Sequence, residues 1–521
     1  VLYGELYHWP AGKHPEGTML DIYEWDTGKY LGKIKQAPVT YNVVGNINEH
    51  QVAIGETTFG GREELGKQTG AIMDYGSLIY VALQRAKTAR EAIRIMTELV
   101  AEYGYYSSGE SFSISDQNEA WIMEMIGKGS PAIPGRVSGA VWVAVRIPDG
   151  YVSAHANHAR ITGFPLADGK KSLSSLQLDR IHQPETEVVY AHDVISFARE
   201  RGYYSGSDSE FSFSDVYAPL DFGALRFCEM RVWSFFSQVA GGMEGYLDYA
   251  AGDKTRDRMP LYVKPLRKLT PADLMKGMRD HFTGSPYDLR ADFGAGPHAL
   301  PYRWRPLTFQ VDGKEYFHER SAATQQTGFS FVAQSRHWLP DPIGGIFWFG
   351  VDDANTSVYV PMYCGMANPP PGFAEGHGDM LTYADDAAFW VFNRVAHFAY
   401  LWYDRVIPDI QKLQQQFETR FAQRTPAIDK AALALYEADP GLCREFLTTY
   451  SCNAAEEEVS RWKELGNFLL VKYLDGNVKQ EKEGQFLRNP HGYPLPPAHP
   501  GYPQWWLKKL TEETGERFRV K

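Results

Sequence analysis

Residues 140–161 have the sequence AVWVAVRIPDGYVSAHANHARI, and they decide which fold the rest of the chain is expected to form. Ala140–Ile147 is a mostly apolar run typical of a buried strand, and Pro148–Gly150 supplies a tight turn. Tyr151–Ile161 is therefore predicted to be the return strand of a hairpin. It ends, however, in the polar side chains His155, Asn157, His158 and Arg160. Polar side chains at a strand end are common at the mouth of a site; an exposed strand end with ordinary surface polarity is the alternative.

The residues before this stretch predict an antiparallel sheet covered by helices. Tyr75–Lys87 and Thr88–Gly104 carry apolar residues at helical spacing, and Thr88 with Glu91 forms a capping-box pattern. The predicted strands are Leu2–Trp9, Met19–Trp25, Tyr30–Ile34, Tyr41–Thr58, Ser111–Ser115 and Glu119–Ile126. Because strands follow one another rather than alternating with helices, the pattern indicates an α+β fold and argues against a Rossmann or barrel design.

The remainder of the chain mixes helices, strands and loops. A short helix is predicted over His192–Arg201 and another from Gly223 to Phe236, in which Arg226 is expected to pair with Glu229 three residues on. Further strands are predicted over Thr308–Val311, Gly328–Gln334, Gly345–Gly350 and Ser357–Tyr363. Long helices are predicted over Ala384–Ala422, Ala427–Glu437 and Ala454–Leu474. We expect a core over 1–365 with a helical and loop insertion at about 162–300, a helical region over 366–475, and an extended surface tail over 476–521.

The composition excludes several classes of protein. Asp and Glu number 64 against 53 Lys and Arg, a formal charge of −11, which argues against a nucleic-acid partner. The sequence contains no run of 18 apolar residues, so no membrane span is predicted. Four cysteines in a chain of this length are not a disulfide framework. The sequence leaves undecided whether Cys443 and Cys452 form one disulfide bridge. No P-loop, GxGxxG, HExxH or GxSxG motif is present, so no cofactor is expected.

Several polar residues have the chemistry of a functional site, but a structural role explains each of them better. His155 and His158 lie three residues apart without a third ligand, which makes a metal site the weaker interpretation. Asp352-Asp-Ala-Asn355 has the composition of a cation loop, but a tight hairpin loop is favoured. Cys228 has the chemistry of a nucleophile, but between Phe227 and Glu229 it is better explained as a small core residue.

Several longer motifs occur together in one known family. They are Glu5-Leu-Tyr-His-Trp9, Val44-Gly-Asn-Ile-Asn-Glu49, Ile54-Gly-Glu-Thr-Thr-Phe-Gly-Gly-Arg62, Met73-Asp-Tyr-Gly-Ser77, Gly109-Glu-Ser-Phe112, Glu119-Ala-Trp-Ile-Met-Glu124, Ala154-His-Ala-Asn-His-Ala-Arg160 and Gly350-Val-Asp-Asp-Ala-Asn355. Through them nearly all of the chain resembles the bacterial PepD-like dipeptidases, which are cysteine-type N-terminal-nucleophile (Ntn) hydrolases. Penicillin V acylases and bile-salt hydrolases are more distant relatives. The resemblance implies a four-layer αββα sandwich of two antiparallel sheets between helical layers.

The resemblance also implies a mechanism. A mature N-terminal cysteine attacks the amide carbonyl, its own α-amine takes the thiol proton, and water hydrolyses the resulting thioester. The sequence begins at Val1 and has no cysteine before Cys228. We therefore expect the nucleophile to precede Val1, and a chain that truly starts there to be inactive.

Some family roles transfer to residues of this chain. Asn157 matches an asparagine that is presented to the amide or oxyanion, where one preorganised donor lowers the barrier by about 2.7–4 kcal/mol. Arg226 or Arg231 matches a later arginine that supports the nucleophile electrostatically, with Arg226 favoured. Thr57 or Thr58 matches an oxyanion or substrate contact. Glu56 and Glu110 are candidates, by position, for the substrate's α-amine.

The implied substrate is a small peptide, a dipeptide with a free N-terminus. An acylase acting on non-peptide amides, such as bile salts or penicillin, is the first alternative, and an inactive binding or structural protein is the second. In related proteins the mature chain is often preceded by an export signal that is cleaved off. A periplasmic or secreted location is therefore expected, with the cytoplasm as the alternative. A homo-oligomer is compatible with the sequence.

Overall fold

A computed structural model describes residues 4, 6–130, 139–253 and 257–521 of the chain. Part of the predicted first strand, at residues 1–3 and 5, lies outside the described residues. The first part of the chain contains strands β1 (His8–Trp9), β2 (Gly12–Lys13), β3 (Met19–Tyr23), β4 (Tyr30–Lys35), β5 (Val39–Thr40), β6 (Val43–Val44), β7 (Ile47–Asn48), β8 (Ala53–Gly60), β9 (Gly109–Ser115) and β10 (Ala120–Gly127). Its helices are α1 (Tyr75–Arg85) and α2 (Ala89–Tyr103).

The middle and last parts complete a mixed α/β fold. Between residues 139 and 300 the strands are β11 (Ala140–Ile147), β12 (Val152–Ser153), β13 (Ser172–Ser174), β14 (Val188–Tyr190) and β15 (Tyr262–Val263). The helices there are α3 (Val194–Glu200), α4 (Phe213–Tyr217), α5 (Met230–Val239), α6 (Leu247–Ala250) and α7 (Pro271–Met278). Beyond residue 300 the strands are β16 (Thr308–Val311), β17 (Lys314–Phe317), β18 (Phe329–Gln334), β19 (Ile346–Val351), β20 (Val360–Tyr363), β21 (Glu481–Lys482) and β22 (Gln485–Phe486). The helices of that part are α8 (Asp341–Gly344), α9 (Ala388–Leu401), α10 (Tyr403–Ala438), α11 (Pro440–Tyr473) and α12 (Gln504–Thr514).

The largest sheet has nine strands in the order β1-β6-β7-β8-β9-β10-β11-β14-β13. Its neighbours are antiparallel except for the parallel pair of β13 and β14. Helices α1 and α2 pack on one face of it. The capping box begins α2 as predicted, because Thr88 Oγ1 accepts from Glu91 N at 3.2 Å. The carboxylate of Glu91 reaches back one residue further than expected, to Lys87 N.

The predicted hairpin across residues 140–161 is wrong. Strand β11 pairs with β10 on one edge and with β14 on the other, so both of its edges are occupied. The short strand β12 pairs instead with β15. Asn157 has φ of +59°, a left-handed conformation that a strand does not accommodate. The polar half of the stretch is therefore an irregular segment laid across the end of the large sheet.

A second sheet, β18-β19-β20, faces strands β6 and β8 of the first. A Cβ on Gly55 would lie 3.5 Å from the Phe331 ring, and one on Gly45 would overlap Phe347. Behind this sheet, α9 and α11 pack on β19 and β20 and share a buried core, in which Phe392 stacks on Trp462 at 4.9 Å between ring centroids.

The C-terminal region differs from expectation in its tail. The tail over 476–521 is not wholly extended, because it contains the β21–β22 hairpin and the helix α12. Cys443 and Cys452 are both free thiols, so the bridge between them does not form. Within the described residues, no helix is long and apolar enough to cross a membrane.

Candidate functional site

The candidate residues of strand β8, Glu56, Thr57 and Thr58, lie on opposite faces of the large sheet. Successive side chains of a strand alternate between faces, so Thr57 shares the face of Gly55, which looks toward the second sheet. Glu56 and Thr58 point the other way, toward α1. All three residues lie in strand β8, at the end of the predicted strand over Tyr41–Thr58.

On the face toward the second sheet, His155 lies between two hydroxyl groups. Its Nδ1 is 2.7 Å from Thr57 Oγ1, and its Nε2 is 2.7 Å from Ser113 Oγ. Burial, with the positive charge of Arg160 nearby, lowers the pKa of His155 to about 4. The imidazole is therefore neutral at pH 7, and both of its nitrogens are occupied. No group of His, Cys, Asp and Glu in the described part of the chain could hold a metal ion.

Asn157 is held at both ends of its side-chain amide. Its Nδ2 donates to Thr58 O at 2.7 Å, and its Oδ1 accepts from Arg231 Nη2 at 3.0 Å. Arg231 also donates to Ala156 O at 3.1 Å and to Phe227 O at 2.7 Å. An amide nitrogen carries two hydrogens, so one remains available to a ligand from a fixed position.

Arg226, the other arginine considered for the site, has different partners. Its Nη2 pairs with Glu319 Oε1 at 2.6 Å, its Nη1 donates to Ala251 O at 2.9 Å, and its guanidinium lies 4.3 Å from the Tyr287 ring centroid. The expected pairing with Glu229 is wrong. Ala224–Glu229 is a π-helix, in which wider turns move residues three apart off a common face.

Glu229 instead forms a buried ion pair that anchors the segment carrying Asn157. Arg160 Nε lies 2.9 Å from Glu229 Oε1, and both side chains are only 2% exposed. Arg160 also donates to the carbonyls of Ala154 and Pro260 at 2.8 and 2.9 Å. The backbone N–H of Arg160 donates to the carboxyl group of Glu124, whose pKa burial raises to about 7.

On the opposite face, Glu56 and Glu110 form a buried acidic pair under α1. Thr58 Oγ1 donates to Glu110 Oε1 at 2.8 Å, while Oε2 of each glutamate lacks a hydrogen-bond partner in the described structure. Burial raises the pKa of both carboxyl groups, and for Glu110 the charge of Glu56 adds to the shift. Their charges in turn help to raise the pKa of Tyr75 in α1. The pair therefore lies on the side away from His155.

A cavity of about 330 Å³ opens beside Asn157. It is lined by Phe59, Gly61, Asn157, His158, Ala218, Pro219, Asp221, Gly223, Ala224, Phe227, Cys228 and Arg320. Burial lowers the pKa of His158 to about 4 and raises the pKa of the Cys228 thiol. The cavity wall thus offers a neutral imidazole, a protonated thiol and the guanidinium of Arg320.

The acidic turn Asp352–Asn355 is a buried connection between β19 and β20. Asp353 Oδ2 accepts from Tyr400 at 3.2 Å and also from Tyr302, while Asp352 Oδ1 accepts from Asn393 at 2.9 Å. Burial raises the pKa of Asp352 to about 8 and that of Asp353 to about 6. These contacts agree with a hairpin loop rather than a cation loop.

Two residues of this region were not singled out from the sequence. Glu124 is a lone carboxylate in the otherwise apolar strand β10, and that isolation was a usable signal. Arg320 lies in a stretch without periodicity, where nothing in the sequence distinguishes it from a surface arginine.

Comparison with known proteins gives a consistent result. The model of peptidase family C69 matches residues 5–416. A probable dipeptidase from Salmonella dublin is 24% identical over 383 residues, covering 71% of this chain and 72% of the relative. A probable dipeptidase from Latilactobacillus sakei is 22% identical over 402 residues, covering 76% and 73%. Probable dipeptidase B from Lactococcus lactis is 21% identical over 394 residues, covering 72% of each.

Proposed function

Since this chain belongs to peptidase family C69, we propose that it hydrolyses the amide bond of unblocked dipeptides. The observation that carries the proposal is Asn157, whose amide is fixed by Thr58 and Arg231 at the edge of a cavity large enough for an amino-acid residue. The relatives named as dipeptidases support the choice of substrate.

The proposed nucleophile is a cysteine at the N-terminus of the mature protein, as the family resemblance implies. Its thiolate forms a bond to the carbonyl carbon, and its α-amine takes the thiol proton and passes it to the departing amine. Water then hydrolyses the thioester. The cysteines within these residues suit the task poorly, since burial raises the pKa of each thiol: Cys228, Cys364, Cys443 and Cys452.

In this mechanism Asn157 supplies a hydrogen bond to the oxyanion, because its second Nδ2 hydrogen is free while its first is held by Thr58 O. Arg231 positions Asn157 through the 3.0 Å bond to Oδ1. We assign the supporting role to Arg231 rather than to Arg226, whose charge is paired with Glu319. Thr57 and His155 contact each other on the face toward the second sheet, and we propose that the substrate approaches along them.

The same proposal includes the four-layer αββα arrangement. Helices α1 and α2 on the outer face of the large sheet, the facing second sheet, and α9 to α11 behind it support those layers. The proposed division remains a core over 1–365, a helical region over 366–475 and a tail over 476–521. Export to the periplasm or the medium stays a proposal that rests on the family resemblance, and a homo-oligomeric state is compatible with it.

The test is a substrate panel with protein carrying its natural N-terminus, whose first residue is identified by intact mass. Unblocked dipeptides are expected to be cleaved, and N-acetylated dipeptides, conjugated bile salts and penicillin V are not. Preferential cleavage of the bile salts or penicillin V would instead identify an acylase. Complete inactivity of a protein with an intact N-terminal cysteine would contradict the proposed function and favour a binding protein.

A further inference from the structure

The cavity beside Asn157 is lined by Arg320, a cationic side chain that has no counter-ion among the described residues. Among the residues that the structure describes, none pairs with the guanidinium of Arg320 or accepts a hydrogen bond from it. Most arginines of this region do have acidic partners: Arg226 with Glu319, Arg160 with Glu229, and Arg303 with Asp292. Arg320 is half-buried, and burial with the nearby charge of Arg305 lowers its pKa. A desolvated, unpaired guanidinium is costly unless an anion binds it.

Other groups around the cavity also favour an anion. The π-helix and α5 form one continuous helix over residues 222–239, and Gly223 and Ala224 in its first turn line the cavity. The positive end of the helix dipole therefore faces the space. Burial, together with the charge of nearby Arg320, lowers the pKa of Arg231, which also has no carboxylate partner in the described structure.

His158 supplies a second polar group that lacks a partner. Its side chain is only 3% exposed, and its Nε2 has no hydrogen-bond partner within the described part of the chain. A neutral imidazole carries one N–H, which can donate to a bound carboxylate without adding charge. Asp221 is the single carboxylate among the described residues of the cavity wall, and it accepts from Ala224 N at 2.7 Å and so is turned toward the helix start.

We propose that this cavity is the subsite for the free C-terminal carboxylate of the substrate, with Arg320 as its counter-ion and His158 as a neutral donor. The proposal rests on the proposed dipeptidase function and explains how a dipeptide is distinguished from a longer or amidated peptide. Asn157 lies on the same wall, so one residue of substrate separates the scissile carbonyl from the carboxylate. Guanidinium and carboxylate groups match in shape and charge, and such pairs are the stronger class of hydrogen bond.

The test compares a free dipeptide with the same dipeptide amidated at its C-terminus. Wild-type enzyme with its natural N-terminus is expected to prefer the free acid. Arg320→Gln is expected to raise KM for the free acid by about 30-fold, the range of a lost charged hydrogen bond, with little change in kcat. The same variant should change KM for the amide by less than about 3-fold, so the preference collapses.

Arg305→Gln is the matched control, since Arg305 is an exposed arginine near Arg320 that does not line this cavity. It should retain the preference for the free acid. Arg320→Lys keeps the charge but loses the forked geometry, and an intermediate KM is expected. Equal losses on free acid and amide in both Arg320 variants would overturn the carboxylate subsite while leaving dipeptidase activity intact. Failure of the wild type to cleave either peptide would overturn the proposed function, and the subsite with it.

Discussion

The two faces of the β8–β9 strand pair differ more than their sequences suggest. On one face Thr57 and Ser113 hold the neutral imidazole of His155 next to the second sheet. On the other face Glu56 and Glu110 bury two carboxyl groups beneath α1, with Thr58 donating to Glu110. Polar residues adjacent in sequence thus belong to separate environments, one facing the second sheet and one enclosed under α1.

The difference teaches that polarity at a strand end has two causes. The face with Thr57 continues into Asn157 and the cavity, where polar atoms still have hydrogen-bonding capacity for a ligand. On the other face, Glu110 is only 1% exposed, and its polar atoms face only protein. Substitutions on the first face should change catalysis, and substitutions on the second should change stability.

The largest effect is expected at Asn157. Replacing it by Gly should lower kcat for a dipeptide about 10²–10³-fold with little change in KM, because an oxyanion donor acts mainly in the transition state. Gly accepts the φ of +59°, whereas Asn157→Ala adds backbone strain of about 1 kcal/mol, visible as a lower Tm. Steady-state kinetics and thermal unfolding separate the two effects. Equal kcat for wild type and Asn157→Gly would remove the catalytic role.

The second effect is a difference in kcat between variants of Arg231, which lies in α5, and Arg226, which lies in the π-helix before it. Arg231→Lys loses the forked contacts to Asn157 and the neighbouring carbonyls, and kcat should fall about 50-fold. Arg226→Lys weakens the pair with Glu319 and should lower Tm, with kcat within about 3-fold of wild type. A larger fall in kcat for the Arg226 variant would reverse the assignment.

The third effect concerns stability on the α1 face. The folded pKa of Glu110 is raised, so its favourable contribution is complete below about pH 4.3 and is lost as the pH rises above that value. Glu110→Gln removes the titration, and it should raise the free energy of unfolding at pH 8 by about 1.5 kcal/mol, with no gain at pH 4. Urea unfolding at both pH values measures this difference. The exposed Glu98→Gln in α2 is the control, and a gain of the same size there would refute the argument.

The smallest effect compares the two neighbouring threonines. Thr57→Val removes the hydroxyl that contacts His155, and kcat/KM should fall about 5-fold. Thr58→Val removes the donor to Glu110, and it should cost about 1 kcal/mol of stability with kcat/KM within about 2-fold of wild type. Parallel kinetics and melting curves decide between these patterns. If both variants lose activity equally, the two faces do not have separate roles.

Local features of the fold could be predicted from the sequence. The capping box at Thr88 and the hairpin of β9 and β10 depend on residues close together in the chain, so spacing alone identified them. The pairing of β11 could not be identified in that way. Its second edge is occupied by β14, a short apolar strand much later in the chain, and competition between distant partners leaves no local pattern.

The candidate site was predictable to a similar depth. The position of Asn157 followed from the polar end of the stretch and from family resemblance, and the structure places it beside Thr58, Arg231 and a cavity. The resemblance favoured Arg226 over Arg231 as the supporting arginine, and the π-helical turn that directs these two side chains differently is not visible in the sequence. The role of Arg320 could not be predicted from the sequence, since an unpaired charge is recognised only when its surroundings are known.

The network around Arg160 has a consequence for how this region opens. Its guanidinium connects Ala154, Glu229 and Pro260, while its backbone N–H is held by Glu124 in the centre of the large sheet. Releasing residues 154–161 would expose a buried ion pair and several carbonyl groups together, which is unfavourable in partial steps. The amides of this irregular segment should therefore exchange with deuterium as slowly as those of strand β10. That result would place a segment without regular secondary structure in the same cooperative folding unit as the sheet.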